Sequence, residues 1–209
     1  MPSSSARSVS APSSRDTRIL RDLATRYAEI AADPDQDRRR RDWRRHNSLR
    51  AVDHVLIYVR AFAWSEMPDS HTLCEDPLLA GLERQLRMGI FRSSFEDDFV
   101  IEPWVTVPAC LRLPGKGIWG PALRWSANRR RGGAGVCEPP IRNLEDIGAI
   151  TPARHRIDEQ ETARRERAAL EALDGILPLV VDRSPVYRAP TCDISGGIAQ
   201  LRGLEQIMW

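Results

Sequence analysis

Lysine is almost missing from this 209-residue chain: Lys116 stands alone, so nearly the whole basic complement of 31 residues is arginine. Against 29 acidic residues this leaves a net charge of only +2, which excludes a generic polyanion binder. The four cysteines, Cys74, Cys110, Cys137 and Cys192, form no Cys-x-x-Cys pair, and the sequence carries no secretory apolar region and no long apolar run. With these features absent, a reducing cytoplasm is the default and no membrane association is expected. His46, His54, His71 and His155 make no His-x-His, His-Glu-x-x-His or His-x-Cys arrangement, so no zinc site is expected within the chain. No Gly-x-Ser-x-Gly elbow occurs and no cysteine sits beside a base, which leaves the catalytic residues unknown.

What is present divides into a tail, a helical arm and an alternating α/β region. Residues 1–15 are rich in Ser, Ala and Arg and read as a disordered tail, with an organelle transit peptide as the alternative. Over residues 16–48, Ile19, Leu20, Leu23, Tyr27 and Ile30 mark an amphipathic helix, and Asp33-Pro34 opens a second one. Asp33 and Gln36 are spaced for a reciprocal cap. The second helix carries Arg38, Arg39, Arg40, Arg41, Arg44 and Arg45 around Trp43. Helical geometry spreads these arginines around the cylinder, so a solvated helix anchored by Trp43 is favoured over a nucleic-acid stripe.

From residue 49 onward the order is strand, helix, strand, helix, strand, helix. The apolar runs Val55–Val59, Phe99–Ile101 extended by Trp104–Val107, and Leu177–Val181 read as strands buried on both faces. Asp76-Pro77 opens one intervening helix, and another runs from about Asp158 to Leu173 with Gly175 as its stop. Such alternation implies a parallel sheet. Residues 114–140, rich in Gly and Arg, read as a hairpin or cover loop containing Trp119 and Trp125. Gly196-Gly197 precedes a closing helix in which Ile198, Leu201, Leu204 and Met208 recur without a stop signal. That pattern raises the expectation that the chain is the first part of something longer.

Several segments, in order, resemble the start of uroporphyrinogen decarboxylase-like proteins: Trp43-Arg44-Arg45-His46-Asn47, Ala63-Trp64-Ser65-Glu66, Asp98-Phe99-Val100-Ile101-Glu102-Pro103-Trp104, Pro139-Pro140-Ile141, Glu145-Asp146-Ile147 and Arg202–Met208. The resemblance runs from about Asp16 to Trp209. It implies the N-terminal portion of a (β/α)₈ TIM barrel preceded by the helical arm, with residues 114–140 covering the barrel mouth. It further implies a superfamily of tetrapyrrole decarboxylases and corrinoid-linked methyltransferases, the latter holding zinc through later parts of the barrel. Zinc and a corrinoid are therefore expected only in a full-length parent, and a corrinoid protein or a second chain completing the barrel is the expected partner.

Departures from the decarboxylase pattern favour methyl transfer. Where strict decarboxylases carry Arg-Gln-Ala-Gly-Arg-Tyr, this chain reads Arg60-Ala61-Phe62-Ala63-Trp64-Ser65, and where they carry Phe-Ser-Asp it reads Ile101-Glu102-Pro103-Trp104. Barrel enzymes gather their functional groups where strands end. This selects Arg60, Trp64 and Glu66 after the first strand, Glu102 and Trp104 after the second, and Tyr187 and Asp193 after the third. The chain by itself is expected to be inactive. Two other classes stay open: a shortened non-catalytic relative that binds a partner, and, less favoured, an Arg-rich nucleic-acid module.

Overall fold

A computed structural model describes residues 13–60, 64–113, 117–126, 135–185 and 194–208. It divides into two units, Met1–Pro108 with Ala163–Asp182, and Ala109–Thr162 with Arg183–Trp209. Helix and strand are mixed in it, as the alternating pattern implies.

The first unit is built on helices. Helix α1 (Ser14–Ala31) is capped by Ser13, whose hydroxyl accepts from Asp16 N at 3.1 Å. Leu20, Ala24, Tyr27 and Ala31 recur at helical spacing on its buried face. Against it packs α3 (Pro77–Arg92), capped by Asp76 through Leu78 N and Leu79 N, with Leu79, Leu82 and Leu86 buried. The helices meet closely at Gly89, where an added Cβ would lie 2.4 Å from Tyr27 Cε2. Because Tyr27 is itself buried, Gly89→Ala is expected to cost about 1–3 kcal/mol through overpacking. Gly81, on the same helix, has nothing within 4 Å of that position. Gly81→Ala should stabilise by up to about 1 kcal/mol, and thermal melts of the two variants shifting in the same direction would contradict this packing.

Helix α2 (Pro34–Asn47) begins at Asp33, whose Oδ1 accepts from Asp35 N at 2.8 Å. The reciprocal half of the expected cap is not made. Gln36 is buried and its Oε1 instead accepts from Ile101 N at 2.8 Å, a contact 65 residues away in sequence.

Strand β1 (Val105–Pro108) pairs in parallel with β6 (Leu179–Asp182), Val105 opposite Leu179 and Val107 opposite Val181. Helix α4 (Glu159–Leu173) precedes β6 and ends at Asp174 and Gly175, both with positive φ. Arg21 donates to the terminal carbonyls of Ala172 and Glu171, both at 3.3 Å, a favourable place for a cation at a helix C-terminus. Of the three expected strands, one forms only in its second half, as β1, and one does not form. Phe99–Ile101 precedes β1 as irregular backbone, with the Phe99 and Ile101 amides taken by Asp97 Oδ1 and Gln36 Oε1. Val55–Val59 is neither a strand nor buried: its backbone partners are the Asp97, Asp98 and Arg92 side chains and the Asp98 amide rather than a neighbouring strand.

In the second unit, β2 (Leu111–Arg112) pairs antiparallel with β5 (Arg156–Ile157), and β3 (Arg124–Ser126) antiparallel with β4 (Val136–Glu138). The hairpin expected around Trp125 is thus present, with residues 114–116 and 127–134 outside the described ones. A 3₁₀ segment, Leu144–Ala149, carries a capping box between Asn143 and Asp146. Helices α5 (Ile194–Arg202) and α6 (Leu204–Met208) replace the single closing helix: Gly203, at φ +90°, breaks the apolar periodicity that spans it. Gly196 and Gly197 lie inside α5 rather than before it. Each of the three sheets has two strands, and among the described residues they are small and open. No helix among these residues is long and apolar enough to cross a membrane.

Candidate functional site

The densest polar arrangement of the first unit lies where α2 and the end of α3 meet residues 54–60 and 97–102. From α2, Trp43 Nε1 donates to Asp98 O at 2.7 Å, Arg39 Nη1 to Phe99 O at 3.0 Å, and Arg40 to the Glu102 carboxylate at 2.8 Å. Arg38 lies between Asp35 (2.6 Å) and Asp42 (3.2 Å), and Arg40 also pairs with Asp37 at 2.6 Å. The Arg38 hydrogen bonds hold the Asp35 carboxyl below the usual range. For Arg40 burial works most strongly against the charge, but the bonds and charges of Glu102 and Asp37 together outweigh it and its pKa rises. Three of the arginines in the stripe are therefore held by carboxylates, rather than free for phosphates.

Arg92, the last residue of α3, is almost fully buried. Its guanidinium sits 3.4 Å from the centroid of the Phe99 ring and 4.5 Å from that of Tyr58. It donates to Val59 O at 2.6 Å and Tyr58 Oη at 3.1 Å, with Asp97 at 3.7 Å, while its Nε has no partner. Asp97 Oδ2 accepts from Val59 N at 2.7 Å, and Asp98 Oδ2 from Ile57 N at 2.9 Å. Asp98 N returns a bond to Ile57 O at 2.9 Å, and His54 Nε2 lies 3.4 Å from Asp98 Oδ1. Two carboxylates and one guanidinium thus do for residues 57 and 59 what a neighbouring strand would do.

A second buried centre lies on α3. Glu83 has no exposed surface, and its carboxylate accepts from Leu73 N and Cys74 N, both at 2.8 Å, and from Arg87 Nε at 2.7 Å. Burial alone would raise its pKa, yet these bonds lower it. Cys74 is pushed up to about 12, by burial first and then by Glu83. Tyr27 rises to about 12 as well, through burial and then the Glu102 charge. Both stay protonated near neutrality, so neither is an activated nucleophile or base. Sequence reasoning passed over Glu83, Arg92, Asp97 and Asp98. Glu83 carried a signal, since it lies four residues after Leu79 and three before Leu86, on the apolar face of its helix.

The expected site residues are dispersed. Arg60 and Glu66 are exposed. Trp64 is buried in the 3₁₀ turn Trp64–Glu66 against Phe91, centroids 5.2 Å apart, with Nε1 unpartnered. Glu102 is bound to Arg40, and Trp104 is 37% exposed. Both come before β1 rather than after a strand, the reverse of the carboxyl-end position expected for them, because the run at 99–101 is not a strand. Tyr187 and Asp193 fall outside the described residues.

In the second unit a cleft of about 400 Å³ is lined by Pro121, Ala122, Arg124, Glu138, Pro139, Pro140 and Arg142. Its size falls in the range of small-molecule sites. Among the described residues, no three His, Cys, Asp or Glu side chains gather as a metal site. No protein-family model matches the chain, and no curated protein or solved structure is significantly similar to it.

Proposed function

We propose that the chain is the N-terminal part of a uroporphyrinogen decarboxylase-like barrel protein, and that the complete assembly performs methyl transfer involving a corrinoid. The observation that supports this best is the parallel pairing of β1 and β6, with α4 in the connection between them. Parallel strands need a crossover, and a parallel pair is normally one part of a larger sheet covered by helices. The charged lattice of α2, Arg92, Asp97 and Asp98 then serves to hold the segments ahead of β1, while the reacting groups belong to the rest of the assembly. A non-catalytic, partner-binding relative is the second reading, favoured by the exposed Ile194, Ile198, Leu204, Ile207 and Met208 on α5 and α6. A nucleic-acid module fits less well, since Arg38, Arg39 and Arg40 are engaged by carboxylates.

Titration of the purified chain with hydroxocobalamin and, separately, uroporphyrin tests this reading through the fluorescence of its six tryptophans. Saturable quenching by the corrinoid, with little by the porphyrin, is expected. Saturation by uroporphyrin alone would return the chain to strict decarboxylation, and saturation by neither would remove both chemistries.

A further inference from the structure

Residues 55–59 have a strand's bonding pattern along one edge and nothing along the other. Ile57 and Val59 use both their N–H and C=O groups toward Asp97, Asp98 and Arg92. In an extended chain, alternate residues point their backbone groups the opposite way. Those residues are Leu56 and Tyr58, whose N–H and C=O groups find no partner among the described residues. The side chains beside this open edge are apolar and exposed: Val55 82%, Ile57 58%, Tyr58 48% and Val59 40%. An unpaired, apolar, β-branched edge is a template for another strand.

We infer that this edge pairs with the same edge of a second copy, antiparallel, about a two-fold axis through Ile57. Two features of the segment select that occupant. The first is its palindromic pattern. With Ile57 facing Ile57, Val55 faces Val59 at both ends, giving a ladder of β-branched side chains on one face, and Leu56 faces Tyr58 on the other. In this register Leu56 and Tyr58 of each copy exchange N–H···O=C bonds, so all eight open backbone groups are used within the segment itself; a shift of two residues moves some of those bonds onto residues outside it. The second is charge. Asp53 stands at one end of the segment and Arg60 at the other. Antiparallel pairing brings the negative end of each copy beside the positive end of its mate, whereas parallel pairing sets like beside like. The contact is small, well under the roughly 800 Å² per partner of stable complexes, so the dimer is weak, with a dissociation constant on the order of 100 µM. This inference does not depend on the barrel reading.

Cysteine substitution with sedimentation tests it on the full chain. In the proposed register the two copies of residue 57 form a non-hydrogen-bonded antiparallel pair, with Cα atoms about 4.5 Å apart, within disulfide reach. The two copies of residue 55 lie about 14 Å apart, beyond it. Under mild oxidation Ile57→Cys is expected to form at least tenfold more covalent dimer than wild type or Val55→Cys, while mixed Val55→Cys and Val59→Cys chains cross-link to each other. Ile57→Lys should weaken the dimer about tenfold by sedimentation equilibrium. All these positions are exposed, and circular dichroism checks that each variant keeps its fold. Equal cross-linking by Val55→Cys and Ile57→Cys would overturn the register. A wild-type mass that stays monomeric at several hundred µM would overturn the dimer and leave the edge to a strand from another protein.

Discussion

Glu83→Ala is expected to remove about 3–5 kcal/mol of stability, a large share of the 5–15 kcal/mol that holds a typical domain together. The carboxylate is fully buried and takes up the amides of Leu73 and Cys74 and the Arg87 guanidinium. Truncation leaves all of these donors without their acceptor. Glu83→Gln retains one acceptor oxygen and should cost less, about 1–3 kcal/mol. The sign of the pH dependence follows from the lowered pKa of Glu83. Its contribution is complete above the unfolded value of about 4.3 and is lost as pH falls through the folded value. Cys74 acts on the alkaline side: its thiol is raised to about 12, so its contribution is complete below the unfolded value of about 8.5 and is lost as pH rises above it. Urea unfolding between pH 3 and pH 11 measures both limbs. A stability gap between wild type and Glu83→Gln that does not narrow below about pH 4 would refute the ionised, bonded state assigned to Glu83.

The second large effect is expected from Arg92→Ala, at about 3 kcal/mol. The substitution removes the guanidinium stacked on Phe99 and Tyr58, unties Val59 O, and leaves the buried Asp97 without its cation. Its signature is local as well as global. Hydrogen exchange at the Ile57 and Val59 amides should accelerate more than at amides in the middle of α1. Arg92→Lys should recover little, since an ammonium has neither the planar face for two rings nor the fork of donors. Full recovery by lysine would reduce Arg92 to a point charge and remove the stacking argument.

The helices were legible because their ends are written locally. Asp76-Pro77 starts α3, Asp33-Pro34 starts α2, and Gly175 stops α4, each through chemistry confined to a few neighbouring residues. The run at 177–181 became β6, paired in parallel as its continuous apolar pattern implies, although the strand's residues alternate between half-buried and exposed rather than being buried on both faces. Val55–Val59 carries the same pattern and did not become a strand. A local window cannot reveal that Asp97 and Asp98, some 40 residues on, take the place of a partner strand. Gln36 failed as a cap for a similar reason, because a distant amide, that of Ile101, claimed its side chain. The expected placement of Glu102 and Trp104 inherited the misread strand before them. At the other end of the chain, the apolar rhythm outweighed the one glycine that interrupts it, Gly203.

The carboxylate ladder beneath residues 57 and 59 also bears on how this region tolerates change. A backbone ladder is blind to side-chain identity, so paired strands drift freely in sequence while keeping their register. Here the register is written in three particular side chains, Asp97, Asp98 and Arg92, and the segment they grip contributes main-chain atoms to those bonds. The freedom is therefore inverted: positions 55, 56, 57 and 59 can exchange residues while the bonds beneath them persist, whereas the three gripping positions, and Tyr58 whose ring and hydroxyl meet Arg92, cannot. Insertion of one residue between Asp97 and Asp98 would disturb the segment more than many substitutions within it.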